Sequence, residues 1–533
     1  MVGSIVSSQN FNPAALRASG VYTRIVPPPG YIQGLQTNVA AIIGTASWGP
    51  KNTPVSVGSP SDLGYYFGGI TSDSKTDVAD LCTDAMIAFQ QAAEGAIHLL
   101  LVRISDGTDV AASYAVKDTT AVTPLTGLTV TAKYTGTLGN SIKIKISAGS
   151  VTGKYNVAIL PFGSTSGELF VNVAGGGAGV FWTNLAAAIN GGQNNVRGPS
   201  AYLTAGAPNA SGIAPALGTF SLISGTDGRA SVVTANYEGS DTARPKTGMY
   251  SLRNAVVSPS VFWLAGMVDE AAFPNMQALA NQEGMVAILP IGDAGQTTAQ
   301  AITAKQSLGI ADYNVVYVKD WVYWEDPVNG GQRLLPPTPF IGGRIAALSP
   351  EQSPENKPVY GVVGTDRNSL QQGNFPYSLD EIGDLQSNGI MFITNPINAG
   401  PQWGMWHGKN SSADPVTAPV EYARMTNFLA KSITKALGKF IGELQTTNAD
   451  DSLRAAIKLE LDEFLQTLKD NKQITSYQTV CDRSNNSRSD IAKHYLKVDV
   501  FVEYMSSVDF LIVSLQGGTN VVTIQTQAAP LAA

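Results

Sequence analysis

The chain has 533 residues, enough for about three or four domains, and only 14% of them are charged against about 25% in a typical soluble protein. Hydrophobic residues make up 44%, which excludes a disordered chain. Lys+Arg 34 against Asp+Glu 41, a net charge of -7, argues against a protein that works mainly by holding nucleic acid or an anionic membrane in a basic field.

Residues 1–35 read as an arm. They carry one strand-like run, centred on Val21, Tyr22, Thr23, Arg24 and Ile25, before Pro27-Pro28-Pro29-Gly30 bars further regular structure. Residues 36–109 begin an α/β core, with a buried strand at 39–44, a turn at Trp48-Gly49-Pro50, a helix over 77–93 and a second buried strand at 96–102. From 110 to 225 Thr, Ser, Gly and Val dominate. Alternation such as Ile142-Lys143-Ile144-Lys145-Ile146 has the period of half-exposed strands, so this stretch is expected to be a β-rich insertion. The α/β pattern returns over 226–400, with strands at 261–265, 285–289, 314–318 and 390–394 and a helix near 378–386.

Residues 401–516 form a C-terminal unit of two helices and a hairpin. The first helix is expected over 419–444, with Tyr422, Met425, Leu429, Ile433, Leu437, Phe440, Ile441 and Leu444 on one face at about 100° per residue. The second runs from about 451 to 468. The runs 498–504, holding Val498, Val500 and Val502, and 508–515, holding Phe510 and Ile512, are expected to pair through Ser506-Ser507. Residues 517–533 are a second arm whose alternating run contains Val522, Thr523 and Ile524. The fold class is mixed α/β and multidomain: an α/β core, a β-rich insertion and strand-bearing arms at both ends.

Motifs for chemistry are scarce. Three histidines, His98, His407 and His494, are too dispersed for a metal or catalytic spacing, and Cys82 and Cys481 make neither a disulfide framework nor a ligand pair, which fits assembly in a reducing cytoplasm. No secretory signal is visible at the N-terminus, and no apolar run reaches the ~18 residues of a membrane span. The segment Gly404-Met405-Trp406-His407-Gly408-Lys409-Asn410 has the wrong spacing for a phosphate loop, Gly163-Ser164-Thr165-Ser166-Gly167 lacks the central Ser of a nucleophile elbow, and Asp450-Asp451 reads as a helix start. No cofactor, metal or catalytic residue is expected. One constellation remains: Lys431, Lys435 and Lys439 recur every four residues opposite the apolar stripe, either as a solvated face or as a basic row for an acidic partner.

Gly20-Val21-Tyr22, Trp48-Gly49-Pro50, Phe67-Gly68-Gly69, Gly225-Thr226-Asp227-Gly228, Leu335-Pro336-Pro337 with Arg344, Trp403-Gly404, Tyr422-Ala423-Arg424 and Val498-Asp499-Val500 occur in this order along the chain. In that order they resemble the tail sheath proteins of contractile bacteriophages and related contractile injection particles. Ser19, Met405-Trp406-His407 and the lone Arg424 depart from the family pattern and suggest a divergent branch.

The resemblance implies a structural subunit, not an enzyme, that stacks as hexameric rings around an inner tail tube and contracts to drive it through the host envelope for genome ejection. Its implied partners are other copies of itself, the tube protein, and baseplate and tail terminator proteins, with no direct nucleic acid and no membrane insertion. Its implied place is the virion tail, assembled in the host bacterial cytoplasm. The arm strands would be donated between subunits, the 498–515 hairpin would accept them, and Lys431, Lys435 and Lys439 would face the tube. A phage-derived injection particle, an α/β hydrolase-like enzyme, and a tube or capsid protein are the alternatives.

Overall fold

The computed structural model describes residues 5–7, 23–25, 32 and 34–513, apart from 72–79, 93–96, 121, 178, 210–212, 368–375, 449–450 and 510. Strand Val39–Thr45 is buried along its whole length, which suits only a central position in a sheet covered on both faces. Its side chains divide accordingly, Ala40 and Ile42 into one core and Val39, Ala41 and Ile43 into the other. The sheet has eight strands, in the spatial order Gly404–Met405, Ile390–Thr394, Val315–Lys319, Val286–Pro290, Val261–Leu264, Val39–Thr45, His98–Ile104 and Val55–Val57. The six inner strands are parallel and the two edge strands antiparallel.

Helices Leu81–Gln90 and Thr338–Ala347 cover one face, and Phe273–Glu283 and Leu379–Ser387 the other. Helix Thr338–Ala347 lies close to the sheet at one position without a side chain and close to helix Leu81–Gln90 at the next. A Cβ on Gly342 would lie 2.7 Å from the Trp263 ring, and one on Gly343 2.9 Å from the Ala88 backbone. Helix Leu379–Ser387 starts where Ser378 and Glu381 form a reciprocal capping box.

Winding reverses between Val39–Thr45 and Val261–Leu264, and in open α/β sheets the crevice beyond the carboxyl ends at such a reversal is the usual ligand site. Here it is filled by the chain itself. Tyr237 donates its hydroxyl hydrogen to the Ala265 carbonyl at 2.9 Å, and Arg229 donates to Ser47 Oγ at 2.7 Å. Arg103, fully buried, donates to the carbonyls of Ala46 (2.9 Å), Gly49 (2.8 Å) and Asp227 (3.0 Å) and to Thr135 Oγ1 (2.8 Å). One guanidinium therefore ties the end of the first core strand to both roots of the inserted stretch.

That stretch folds into a three-stranded sheet (Leu203–Ala205, Thr126–Ala132, Ser113–Lys117) and a four-stranded one (Glu168–Ala174, Lys154–Leu160, Lys143–Ala148, Gly218–Ser221) around its own apolar cluster. It also contains a helix the β-rich reading did not include, Val180–Gly191, whose Phe181, Trp182, Leu185 and Ile189 fill the cluster. Trp48 reaches from the core into this cluster and packs edge-on against Tyr134 at 5.5 Å and Phe162 at 5.4 Å.

Replacing Arg103 with Ala leaves three carbonyls without their donor, so we expect a loss of about 3–5 kcal/mol. Chemical denaturation of wild type and Arg103→Ala checks the loss, and limited proteolysis should cut the variant first near the junctions at 106–110 and 225–229.

Candidate assembly site

The C-terminal unit is built on helix Val420–Leu437, packed against helix Ser452–Asp470. Met425 and Leu429 of the first meet Ile457, Leu461, Phe464, Leu465 and Leu468 of the second in a core separate from those of the sheet. Asp451 caps the second helix by accepting from the Leu453 amide, and it pairs with buried Arg454 at 3.0 Å. The first helix is shorter than its stripe predicts. It ends at Leu437, passes through a 3-10 turn at Gly438–Phe440, and leaves Ile441 and Leu444 outside, 87% and 90% exposed. Gly442, at φ 93°, turns the chain where a helix would continue.

Over this helical pair stands a two-stranded antiparallel ribbon, Ser476–Val480 with Asp499–Glu503. Val500 and Val502 turn toward the helical core, as does Val498 just before the strand, while Phe501 faces out. The outer edge of Asp499–Glu503 has no strand partner among the described residues. The expected hairpin is therefore corrected: its first strand forms, but with the unforeseen Ser476–Val480 as partner, and none of the described residues of 508–515 pairs with it. Val508 and Leu511 to Val513 lie outside any strand, Ile512 among them and exposed, and Phe510 falls outside the described residues.

The reason is the path after the ribbon. Tyr504 packs on Tyr422 at 5.4 Å, with its hydroxyl 2.9 Å from Thr426 Oγ1, Ser507 lies beside the Glu421 carboxylate, and Asp509 pairs with Lys409 at 2.8 Å. The Tyr504 and Asp509 contacts carry the chain past the start of helix Val420–Leu437 and away from the ribbon. Beneath Asp509, burial and then Asp509 itself push Glu355 up to about 7, against the opposing pull of Lys409. Burial also raises Glu421 and lowers His407 to about 3, so that imidazole is neutral. The phosphate-loop lookalike thus contributes Lys409 to an ion pair and His407 to the interior.

The lysine row is also corrected. Lys431 donates to the Pro259 carbonyl at 2.9 Å and to Ser258 Oγ at 2.7 Å, and Lys439 pairs with Glu460 at 2.7 Å. Only Lys435 is exposed with no ion pair or hydrogen bond among the described residues. Lys431 belongs instead to a stripe that fastens the unit to the sheet body. Arg424 donates to the carbonyls of Leu348 (2.7 Å) and Ser349 (3.1 Å), and Asn427 to Asn314 Oδ1 (2.8 Å). Periodicity groups residues on a helix side, but the groups opposite come from distant sequence.

The N-terminal arm is rooted here too. Ile32 is 4% exposed inside the helical core, and the Leu35 amide donates to Ser432 Oγ at 3.1 Å. Of the expected arm strand, Thr23, Arg24 and Ile25 form a short strand paired in parallel with Ile5–Ser7. Val21, Tyr22, Val522, Thr523 and Ile524 lie outside the described residues.

No family model matches the sequence. The tail sheath protein of Vibrio phage KVP40 is 22% identical over 218 residues, which is 40% of this chain and 31% of that protein's length. A sheath tail protein of Listeria innocua superposes with a TM-score of 0.58 at 15% identity, covering 86% of this chain and 91% of that one. One from Desulfitobacterium hafniense gives 0.51 at 18% identity, covering 87% and 93%. The sheath of an extracellular contractile injection system in its contracted state gives 0.52 at 10% identity, covering 95% and 99%.

Burial lowers Lys431 to about 8, with Glu283 opposing weakly. Between that value and the 10.5 of a free lysine, the unfolded chain binds a proton that the folded chain does not, so this group makes stability rise with pH across the window. Lys431→Met should flatten the rise in urea midpoint measured from pH 8 to 10. At neutral pH Lys431→Glu should cost about 2–3 kcal/mol, whereas Lys435→Glu should stay within about 0.5 kcal/mol.

Proposed function

We propose that this chain, which has the tail sheath fold, is the sheath subunit of a contractile tail. Copies stack as hexameric rings around an inner tube, linked by strands passed from the arms of one copy to the ribbon of another, and the cylinder shortens to drive the tube through the host envelope for genome ejection. The observation that carries this reading is the ribbon edge of Asp499–Glu503, left without a strand partner among the described residues on the same unit where the N-terminal arm is rooted. A strand of a neighbouring copy would complete its backbone hydrogen bonding, and alternate side chains would set the register.

Contraction in this reading is a rigid-body repacking between two arrangements and uses free energy stored in assembly, so no step calls for hydrolysis. The tube lies inside, the baseplate and terminator close the two ends, and the particle belongs to the virion tail. Lys435 is the remaining candidate of the lysine row for the tube contact. The likeness to a contractile injection system sheath over 95% of the chain supports a second reading, the sheath of a phage-derived injection particle, with the same assembly chemistry.

Negative-stain microscopy of the purified chain tests the proposal. Tubes or stacked rings are expected from wild type, and deletion of residues 1–26, which keeps the Ile32 anchor, should leave folded subunits that do not elongate. Sheaths of wild-type length from the truncated chain would overturn the strand-exchange reading. In assembled particles, Lys435→Glu should loosen extended sheaths from their tubes, and tubes still gripped as in wild type would remove Lys435 from the contact.

A further inference from the structure

The ribbon edge and the run that follows it pose a problem of self-closure. Val508, Leu511, Ile512 and Val513 are 76%, 84%, 87% and 75% exposed, an apolar stretch of strand-forming residues only a short loop away from an open edge of the same chain. Short loops between such runs ordinarily close a hairpin. An exposed apolar run and an unpaired edge are both liabilities that proteins manage explicitly. Closing on itself would satisfy both, and the chain does not do so.

What prevents it is spelled out by two successive contacts, Tyr504 with Tyr422 and Thr426, and Asp509 with Lys409. The first holds the chain to the start of helix Val420–Leu437, and the second holds it to the segment that precedes that helix. The last is the point at which the run either stays with the body or is free to swing back. We infer that the Lys409–Asp509 ion pair is a pin that keeps residues 508–513 from closing onto their own ribbon and reserves them for the ribbon of a second copy. This rests on the sheath reading for the identity of the acceptor, but the pin itself is a property of one chain.

The second copy is the occupant that the chain's course favours. Val508 before the pin and Leu511 to Val513 after it are left exposed, and another twenty residues, 514–533, follow in the sequence, chain enough to reach the ribbon of a neighbouring copy. The surroundings suit a releasable pin. Lys409 is the cation facing Asp509 and Glu355, Glu421 stands near Asp509 and Ser353, and His407 stands near Lys409, Asp509 and Lys305. The pair is about one-third exposed on each side, 32% and 30%, and an ion pair so placed shifts an equilibrium by about fivefold, not by orders of magnitude.

The test uses the full chain with Asp509→Lys, which sets two cations against each other, and the exchange Lys409→Glu with Asp509→Lys, which restores the pair with reversed sense. Amide hydrogen exchange is read in the dissociated monomer over 499–503 and 508–513, and polymer yield by sedimentation. We expect about fivefold slower exchange of both segments in Asp509→Lys as the hairpin closes, a matching fall in polymer yield, and recovery of both in the exchanged pair. Unchanged exchange in Asp509→Lys would overturn the pin whatever the yield. Slowed exchange with undiminished polymer would overturn the assignment of the segment to a second copy. A wild-type chain that forms no polymer at all would instead sink the sheath reading, and the monomer exchange measurement would still decide the pin.

Discussion

A strand edge with unpaired backbone groups is the constraint around which the C-terminal unit is organised. A two-stranded ribbon is marginal in water by itself. This one stands because Val500 and Val502 on one strand and Tyr477 on the other lie on the core made by helices Val420–Leu437 and Ser452–Asp470. Support from below leaves the edge rigid, extended and available. Since Ile32 is buried in that same core, a pull on the N-terminal arm is delivered to the helices under the ribbon and not to the central sheet. The root of the N-terminal arm and the unpaired ribbon edge thus share one core.

The parallel sheet is covered on both faces, the reversal crevice is filled by the chain's own residues, and the inserted sheets are locked on by Arg103 and Trp48. Charge is spent on the same end. Arg103, Arg344, Arg424 and Arg454 are all buried, as are Lys319 and Asp320, which pair at 2.7 Å. A chain with only 14% charged residues that uses several of them inside has still less to place on its surface. In the sheath proposal this scarcity has a use, because surfaces that fit neighbours in two arrangements are poorly served by dense charge, each desolvated ion needing its partner in both.

Much of this was legible in the sequence where burial imposes its own pattern. Strands Val261–Leu264, Val286–Pro290, Val315–Lys319 and Ile390–Thr394 are apolar on both faces, so each declares itself without knowledge of its neighbours. Strand Ser476–Val480 did not, because Ser476, Gln478 and Thr479 give a half-wet ribbon strand little apolar contrast. Helix Val180–Gly191 was hidden by its setting among Gly, Thr and Ser, although Phe181, Trp182, Leu185 and Ile189 carry helical spacing. The misread features share a cause. Ser506-Ser507 satisfies a local turn rule and Lys431-Lys435-Lys439 a local helix rule, but Lys409, Pro259 and Glu460, which decide the outcome, are supplied by the tertiary fold.

The apolar stripe that outruns its helix fits the same logic. Leu437 and Phe440 still reach the helical core, but the helix has given way to a 3-10 turn that ends at Phe440, Gly442 turns the chain again, and Ile441 and Leu444 stand almost fully exposed. A lone exposed aliphatic residue needs no explanation. Two such residues in one short loop, on the unit that also carries the unpaired ribbon edge and the apolar run at 508–513, are a different matter. All three features would cost an isolated subunit free energy, through unpaired strand edge or apolar surface left in water. All three lie on one unit, and in the sheath proposal a neighbouring copy that paired the edge and covered the apolar residues would remove these costs together.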